Sequence, residues 1–379
     1  VPGWMHACGH DVHTSILLGT AVLLQQHREQ LPRPIKLIFQ PGEEQNPGGA
    51  SLMIKAGVLE NPTVEALVAL HVYPEMEVGK VGLRPGLYMA SSDEIHVEVI
   101  GVGGHGALPA RFINPIDVGI TWMQACQKLV VDNCPQEVPQ VLTFGRFEAL
   151  GSTNVVSATA TIKGTFRTMD ETWRAQVKTI LHEQAALIAS QFGAQIKLTI
   201  GEGYPFLKND LELTHKVKNI LENELGAANV EELGLRMTAE DFAFYSHHRP
   251  VCFFRLGTGN TEKGLTHAVH HPQFDIDEAA LREFEAAFCL MIVRADARGV
   301  GHPIGHRTGL ARAGTCEDEH GAIDGFDRFA LFRVEAGEII GRTGLVAGGH
   351  GAGRNAEAAA GGHAWPRCRN RGRGSGRLA

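Results

Sequence analysis

The sequence lacks any long apolar run and any concentration of basic residues in its body. No apolar segment approaches the roughly 20 residues that a membrane-spanning helix needs, so we expect no integral membrane protein. The formal net charge is −7, whereas a nucleic-acid-binding domain typically carries a basic patch or stripe. No internal period is present, which argues against a repeat protein. The composition, 44% hydrophobic and 20% charged residues, is that of an ordinary globular protein.

A disulfide framework is not indicated either. The seven cysteines are scattered over 379 residues, and an odd number at wide spacings is not the pattern of a disulfide-stabilised domain. We therefore expect a reducing compartment, the cytoplasm. Histidine, in contrast, is abundant, with 19 residues that occur in clusters. These clusters direct attention to metal-binding chemistry.

Helices and apolar strands alternate in the first part of the chain. Helical periodicity covers residues 11–29, and the apolar runs 35–39 and 66–70 each predict a buried strand. A further helix is predicted over residues 50–59, between these two strands. Such alternation is typical of an α/β domain built on a mostly parallel sheet.

The middle of the chain has a different order of elements. The pattern predicts strand, helix, strand, strand, helix and strand, over residues 94–99, 115–131, 140–147, 154–166, 171–192 and 195–200. This β-α-β-β-α-β order is that of a ferredoxin-like α+β domain. We place this domain at residues 92–204 and predict that it is inserted into the α/β domain.

The remaining elements return to the first pattern. Helices over residues 210–225 and 277–293 and a strand over 251–256 complete a discontinuous first domain, made of residues 1–91 and 205–294. Residues 295–379 are rich in Gly, Ala and Arg, a composition that we expect to form a largely disordered tail.

The densest chemistry lies near the start, in the segment His6-Ala7-Cys8-Gly9-His10-Asp11-Val12-His13. Thiol, imidazole and carboxylate groups are the ligands of zinc and related divalent metals. In an extended segment, alternate side chains point to one side, so Cys8 and His10 are predicted to face one metal pocket. Histidines of a hydrophobic core usually occur singly, which makes a purely structural cluster the weaker reading.

Three further segments carry metal-binding or acid–base residue types. Glu43 and Glu44 follow the predicted strand 35–39, at the strand end where open α/β sheets bind ligands. One glutamate of such a pair can bind a metal while the other accepts a proton. His71 follows the next predicted strand, and the segment 267–271 holds three more histidines. Each of these signals is weak alone, because solvated carboxylates and hydrogen-bonded histidines are common.

Taken in order, the motifs resemble the metallo-aminoacylase and carboxypeptidase family, and within it the amidohydrolase branch of hippurate hydrolases, N-acyl-amino-acid amidohydrolases and auxin-conjugate hydrolases. The resemblance covers about residues 3–293. The matching segments are His6–Asp11, Pro41–Glu44, Leu70–Pro74, Gly103–Pro109, Asn154, Gly164–Arg167, Ala239–Phe242 and His270–Pro272. The resemblance implies a zinc-peptidase-like catalytic domain with a mixed, mostly parallel sheet and a ferredoxin-like lid or dimerisation domain.

The resemblance also implies roles for individual residues. One or two divalent ions (Mn, Zn, Co or Ni) would be held by a set of five ligands, namely Cys8, His10, Glu44, His71 and His270. Glu43 would be the general base, and His105, which in this family can act across a dimer interface, would hydrogen-bond the oxyanion. Substrate would be held by Asn154, Arg167 and Glu240. The implied reaction is hydrolysis of a small N-acyl amino acid by a homodimer joined through the lid domain, with no nucleic-acid or membrane partner.

Two departures from the family keep other functions open. Members of the family carry a longer segment before the Cys-Gly-His motif, and we expect an N-terminally truncated chain with an unrelated C-terminal tail. The alternatives are a metal-binding or dimerising remnant with impaired catalysis and, with less support, a hydrolase that uses Cys8 as nucleophile. Against the latter, Glu43 and Glu44 would then have no role.

Overall fold

The computed structural model describes residues 5–31 and 34–281, together with 284 and 287–289. The helices of this part are α1 (His10–Gln26), α2 (Gly49–Lys55), α3 (Pro115–Asp132), α4 (Glu171–Phe192), α5 (Leu211–Leu225) and α6 (Ala243–Ser246). The strands up to the middle of the chain are β1 (Leu67–Glu77), β2 (Val81–Leu83), β3 (Gly86–Met89), β4 (Asp93–Ile100), β5 (Gly104–His105) and β6 (Gln140–Glu148). The later strands are β7 (Val155–Val156), β8 (Thr159–Thr168), β9 (Gln195–Glu202), β10 (Leu207–Asn209), β11 (Val230–Glu232) and β12 (Val251–Gly259).

A mixed sheet of order β1-β12-β2-β11 forms the first layer. Strands β1 and β12 are parallel, as are β11 and β2, whereas β12 and β2 are antiparallel. The prediction of a mixed, mostly parallel sheet is therefore confirmed. Helices α1 and α5 supply apolar side chains to the core on this sheet, among them Ile16, Val217 and Leu221. No described helix is long and apolar enough to cross a membrane.

A separate, wholly antiparallel sheet has the order β6-β8-β4-β9. With α3 following β4 and α4 following β8, the chain order is the predicted β-α-β-β-α-β. Its core combines side chains of the sheet and both helices, and Trp122, Ile162 and Leu181 are almost fully buried there. Each large apolar side chain buried in this way contributes about 1.5–3 kcal/mol.

Helix α4 shows how local sequence sets an element. Trp173, Val177, Leu181, Ala185 and Ile188 are buried at spacings of three and four residues, which form one face of a helix. At the N-terminus, the Asp170 carboxylate accepts a hydrogen bond from the Trp173 N–H at 2.6 Å, as an N-cap does.

Removing this cap is expected to destabilise the protein without affecting the site. Asp170→Ala should lower the free energy of unfolding by about 1 kcal/mol, because the Trp173 N–H in the first turn loses its acceptor. Asp170→Asn, which keeps an acceptor oxygen, is the matched control and should cost much less. Urea denaturation measures both, and equal losses in the two variants would contradict a capping role.

The strand predicted over residues 35–39 is wrong. Residues 34–40 form neither a helix nor a strand, and a cavity of about 760 Å³ lies against them and against residues 64–71. Within the described residues β1 pairs only with β12, so this segment has no neighbour to which its backbone can hydrogen-bond. An apolar run predicts burial, but a strand also requires a pairing partner.

Other boundaries also differ from prediction. Strand β1 continues to Glu77, well beyond the predicted end at residue 70, and α2 ends at Lys55 rather than at residue 59. Of the predicted helix 277–293, the described residues 279–281, 284 and 287–289 are helical, and the rest lies outside the described residues. The predicted tail, 295–379, lies outside them entirely.

Candidate metal centre and active site

Cys8 lies in a tight turn that leads into α1, and His10 begins that helix. Gly9 has φ +74°, and a Cβ at this position would lie 2.6 Å from Cγ2 of Val72, so the turn requires glycine. Cys8 lies within this turn, in which the Gly9 N–H donates to the His6 carbonyl at 3.2 Å, and His10 is the first residue of α1. The predicted extended segment is therefore wrong, although the two side chains still converge, because the turn replaces strand alternation in bringing them together.

His71 contributes from the middle of β1 rather than from the predicted strand end. Its Nδ1 lies 2.8 Å from the Val72 carbonyl oxygen, and Nε2 lies 3.4 Å from the Cys8 Sγ. With Nδ1 donating to the carbonyl, the Nε2 lone pair faces the cysteine. Metal-binding histidines commonly fix their second ring nitrogen in this way. Burial lowers the pKa of His71 well below its usual range, so the ring is neutral.

The third histidine of the first motif has a different environment. Nε2 of His13 accepts the Val72 N–H at 3.0 Å, so this nitrogen is already used by the backbone of β1. Burial, followed by the charge of His10, lowers the pKa of His13 to about 3. His13 thus supports the turn and strand as a neutral hydrogen-bond acceptor. The sequence alone does not separate it from its neighbours His10 and His71.

Glu43 and Glu44 lie in the loop of residues 41–48, which we call the carboxylate loop. An oxygen of Glu43 lies 3.7 Å from Nε2 of His10, and an oxygen of Glu44 lies 3.9 Å from the same nitrogen. Burial, together with the carboxylates of Glu44 and Asp241, raises the pKa of Glu43 to about 7. The loop follows the segment 34–40 and not a strand, in contrast to the prediction.

His270 completes the group. Its Nε2 lies 3.3 Å from an oxygen of Glu44, and its N–H donates to the Ala7 carbonyl at 2.6 Å. The backbone of His270 has φ +67°, a conformation that costs energy in a non-glycine residue and occurs most often at functional sites. His271 instead stacks on His267, with ring centroids 4.2 Å apart. The structure thus places His270, and not His271, beside Glu44.

The converging side chains fit a divalent metal. Three overlapping groups have their ligand atoms within 4.8 Å of one another: Cys8–His10–His71, Cys8–Glu44–His270 and His10–Glu43–Glu44. Burial, and then the Glu44 and Glu43 carboxylates, raise the pKa of the Cys8 thiol. A thiolate and carboxylates that face one another repel when they are ionised, and a bound cation removes this repulsion.

Arg255 lies behind this group, on β12 and directly opposite His71 in the parallel pairing. The guanidinium is buried and donates to the hydroxyl of Tyr88 at 3.3 Å. After burial itself, its charge is the main influence that lowers the pKa of His71. Arg255 thus favours the neutral imidazole that metal binding requires. No sequence pattern indicated a role for Arg255, because its position beside His71 depends on strand pairing.

Glu240 and Asp241 form the wall beside Glu43. Glu240 is buried, and one oxygen of each of these two residues lies within 4.8 Å of an oxygen of Glu43. The Asp241 carboxylate accepts from the Gln40 amide at 2.6 and 2.8 Å and from the Ala50 N–H at 3.0 Å. Asp241 therefore holds both ends of the carboxylate loop. The sequence could have pointed to Asp241, because it lies next to Glu240 in the matched segment Ala239–Phe242.

Comparison with known proteins decides the family. The model of peptidase family M20/M25/M40 matches residues 1–293. The chain belongs to this family. It is 37% identical over 286 residues to the IAA-amino acid hydrolase ILR1-like 4 of Arabidopsis thaliana, covering 74% of this chain and 64% of that protein. To the N-acetyl-L-cysteine deacetylase of Bacillus subtilis it is 36% identical over 279 residues, covering 74% and 65%.

A solved structure supports the same assignment. The YxeP protein of Bacillus subtilis, a dinuclear metal binding peptidase of the M20 family, matches with a TM-score of 0.61 and 30% identity, over 77% of this chain and 74% of that one. The predicted hydrolase family and its amidohydrolase branch are thus confirmed. The chain spans just under two thirds of the length of the two curated relatives.

Two predicted residues of this M20 chain, His105 and Asn154, have a different environment from the convergent group, by which we mean Cys8, His10, Glu43, Glu44, His71 and His270. His105 is exposed in β5, opposite Val155 of β7, and its Nδ1 accepts the Ala107 N–H at 3.1 Å. The Asn154 carbonyl accepts the Gly106 N–H at 2.8 Å, so Asn154 is close to His105. Neither residue has a hydrogen bond or ion pair to the convergent group within the described residues.

Arg167 joins the antiparallel sheet to the segment before Glu240. One guanidinium nitrogen, on β8, donates to the Met237 carbonyl at 3.1 Å. Burial lowers the pKa of Arg167, and among the described residues Met237 is the hydrogen-bond partner found for its guanidinium. The structure thus brings Arg167 toward the Glu240 segment but not into contact with Glu43.

The two adjacent histidines provide a matched test. His270→Ala is expected to weaken metal binding by at least about 10- to 100-fold, the loss seen when even an outer partner of a ligand is removed. His271→Ala should leave the affinity unchanged, because its ring stacks on His267. Titration of the metal-free protein with Zn²⁺ or Mn²⁺ measures both. Loss in the His271 variant alone would reverse the assignment.

Proposed function

We propose that this chain is a metal-dependent amidohydrolase that cleaves the amide bond of N-acyl amino acids, releasing a carboxylic acid and an amino acid. The observation that carries the proposal is the placement of Glu43, whose pKa is about 7, next to convergent thiol, imidazole and carboxylate ligands. The names of the two curated relatives, an IAA-amino acid hydrolase and an N-acetyl-L-cysteine deacetylase, support this class of substrate.

We assign metal binding to Cys8, His10, Glu44, His71 and His270. Two of the convergent groups share Cys8, which supports two ions rather than one, and a dinuclear relative supports the same number. Divalent ions bound there would supply Lewis acidity, which lowers the pKa of water and polarises the substrate carbonyl. The mixed donor set is compatible with Mn, Zn, Co or Ni.

Glu43 is the proposed general base. A carboxylate with a pKa near 7 accepts a proton from water at neutral pH and can return it to another atom. In the proposed reaction Glu43 takes one proton from the attacking water and delivers it to the amide nitrogen as the C–N bond breaks. The water oxygen thus forms the new carboxylic acid, and the nitrogen leaves as the amine of the amino acid.

The remaining roles belong to substrate recognition. His105 donates a hydrogen bond to the oxyanion, and the exposed position of His105 suits action on the site of a second copy. Arg167 pairs with the free carboxylate of the substrate, since a guanidinium binds carboxylates in a bidentate manner. Asn154 and Glu240 complete the substrate site.

The domain assignment follows from these roles. We propose a catalytic domain of residues 1–91 and 205–294, and a lid and dimerisation domain of residues 92–204. The tail, residues 295–379, is assigned no part in the reaction. The separate antiparallel sheet of β4, β6, β8 and β9 supports this division.

Hydrolysis of N-benzoylglycine and a panel of N-acetyl amino acids by the purified protein tests the proposal. We expect release of the amino acid, its loss on addition of a chelator, and recovery with Mn²⁺, Co²⁺ or Zn²⁺. Metal binding without turnover on any member of the panel would favour a remnant with impaired catalysis. Turnover that resists chelation but is lost on thiol alkylation would favour Cys8 as a nucleophile, which its raised pKa opposes.

A further inference from the structure

We propose that Tyr204 is a positioning residue that ties the carboxylate loop to the base of the antiparallel sheet. Its hydroxyl holds the backbone of Glu43, and its own backbone is fixed where the chain enters and leaves the sheet of β4 and β9. The effect on catalysis, through the position of the Glu43 carboxylate, rests on the proposed function. The contact between Tyr204 and the carboxylate loop can be measured without turnover.

The first contact joins Tyr204 to the loop. The Tyr204 hydroxyl donates to the Glu43 carbonyl oxygen, and the residue is only 8% exposed. The Tyr204 ring also packs against the loop, because a Cβ on Gly48 would lie 3.0 Å from its Cε1. Burial, and then the charge of Glu43, raise the pKa of Tyr204, so the hydroxyl keeps the proton that it donates.

The second contact joins Tyr204 to the chain that enters the sheet. Its N–H donates to Oγ of Ser92 at 3.2 Å, and the Ser92 N–H donates to the Tyr204 carbonyl at 2.9 Å. A Cβ on Gly203 would lie 2.1 Å from the Ser92 carbonyl oxygen, so the two backbones approach as closely as glycine permits. Ser92 directly precedes β4, and Tyr204 follows closely after β9.

Arg174, in the antiparallel unit, hydrogen-bonds to both backbones at the point where Ser92 and Gly203 approach each other. It lies on α4 and is 4% exposed. Its Nη2 atom donates to the carbonyls of Ser92 and Gly203, each at 3.2 Å. The same side chain pairs with Asp93 through contacts of 2.7 and 2.8 Å. Charge-assisted, bidentate pairing of this kind is among the strongest hydrogen bonding in proteins, so both connections are held to α4.

A continuous series of contacts therefore runs from α4 through Ser92 and Tyr204 to the Glu43 backbone. Asp241 holds Gln40 and Ala50 at the two ends of the carboxylate loop, and Tyr204 holds its middle. The hydroxyl of Tyr204 is used by a main-chain carbonyl, which distinguishes positioning from direct action on substrate. A shift of the antiparallel unit would consequently be passed to the carboxylate that we assign as general base.

Tyr204→Phe removes only the hydroxyl and tests the first contact. Hydrogen–deuterium exchange of the amides in residues 42–50, measured on the protein without substrate, should become about 2- to 10-fold faster, the size expected for one lost neutral hydrogen bond. On a hydrolysed substrate, kcat should fall by about the same factor, with KM and metal content unchanged. Tyr245→Phe is the matched control, because its hydroxyl is buried without a hydrogen-bond partner among the described residues.

Ser92→Ala tests the connection to the sheet. Alone, it should also speed exchange of residues 42–50, whereas in the Tyr204→Phe background it should add nothing, because the path is already broken. Such non-additivity is the signature of coupled residues. Equal exchange in wild type and Tyr204→Phe, or a Ser92→Ala effect that persists unchanged in the double variant, would overturn the inference. Absence of wild-type turnover would instead count against the proposed function alone.

Discussion

Glu43→Gln is expected to lower kcat by about 10²- to 10⁴-fold, the contribution of a well-placed general base, while metal content stays at the wild-type level. Glutamine has nearly the same shape as glutamate but accepts no proton at neutral pH. The loss should be large because burial and neighbouring carboxylates place the pKa of Glu43 at about 7. Steady-state hydrolysis and metal analysis of the same preparation measure the two quantities together.

Glu44→Gln is the control that separates the two adjacent carboxylates. Glu44 lies 3.3 Å from His270 and groups with Cys8, so its variant should lose metal as well as activity. Activity should return in part when excess metal is added to the Glu44 variant, but not in the Glu43 variant. The opposite pattern, with metal lost from Glu43→Gln and retained by Glu44→Gln, would mean that the two roles are reversed.

The antiparallel unit was the most predictable part of the fold. Both ends of helix Glu171–Phe192 agree with the sequence pattern, because its apolar spacing and its N-cap Asp170 are local signals. The side chains of strands β4 and β9 alternate in burial, and the two strands pair with each other. The two-residue period of the sequence and the strand pairing therefore indicate the same structure. Here each local preference is consistent with the tertiary structure, which is the condition for reading structure from sequence.

The segment 35–39 shows where local reading fails. Its apolar residues satisfy the pattern of a buried strand, yet it lies beside a cavity and has no pairing partner in the part of the chain that the structure describes. Strand formation depends on a neighbour that periodicity does not reveal. The same limit explains β1, which extends beyond its apolar run to Glu77 because β12 pairs with it over most of this length.

In the candidate site, the ligand types could be predicted from the sequence but their supports could not. Cys8 and His10 stand in a motif with few other interpretations, whereas Glu44 and His71 gave weak signals that only the ordered set of motifs strengthened. The structure brings their ligand atoms together in overlapping groups. Asp241, Arg255 and Tyr204 act through contacts between residues far apart in the chain. For Asp241 the sequence offered one signal, its place beside Glu240 in a matched motif. The local sequences of Arg255 and Tyr204 are compatible with an ordinary buried or surface residue, so only the folded structure assigns those two a part.

His105→Ala is expected to lower kcat by about 10²- to 10³-fold, as loss of an oxyanion donor does elsewhere. His105 is exposed, so stability and metal content should not change. The Nδ1 atom accepts the Ala107 N–H, which leaves the Nε2–H to donate. His182→Ala, an exposed histidine on α4, is the matched control, and an unchanged rate in the His105 variant would remove this residue from the mechanism.

Mixing variants tests which copy His105 serves. No contact of His105 reaches the convergent group within the described residues of its own chain, so we expect it to act on a second copy. Dimers formed from His105→Ala and Glu43→Gln chains then contain one site with both an intact Glu43 and an intact partner His105. For random pairing in a two-fold dimer, such mixtures should recover roughly a quarter of wild-type turnover. If His105 serves its own chain, every site lacks one of the two groups and mixing restores nothing.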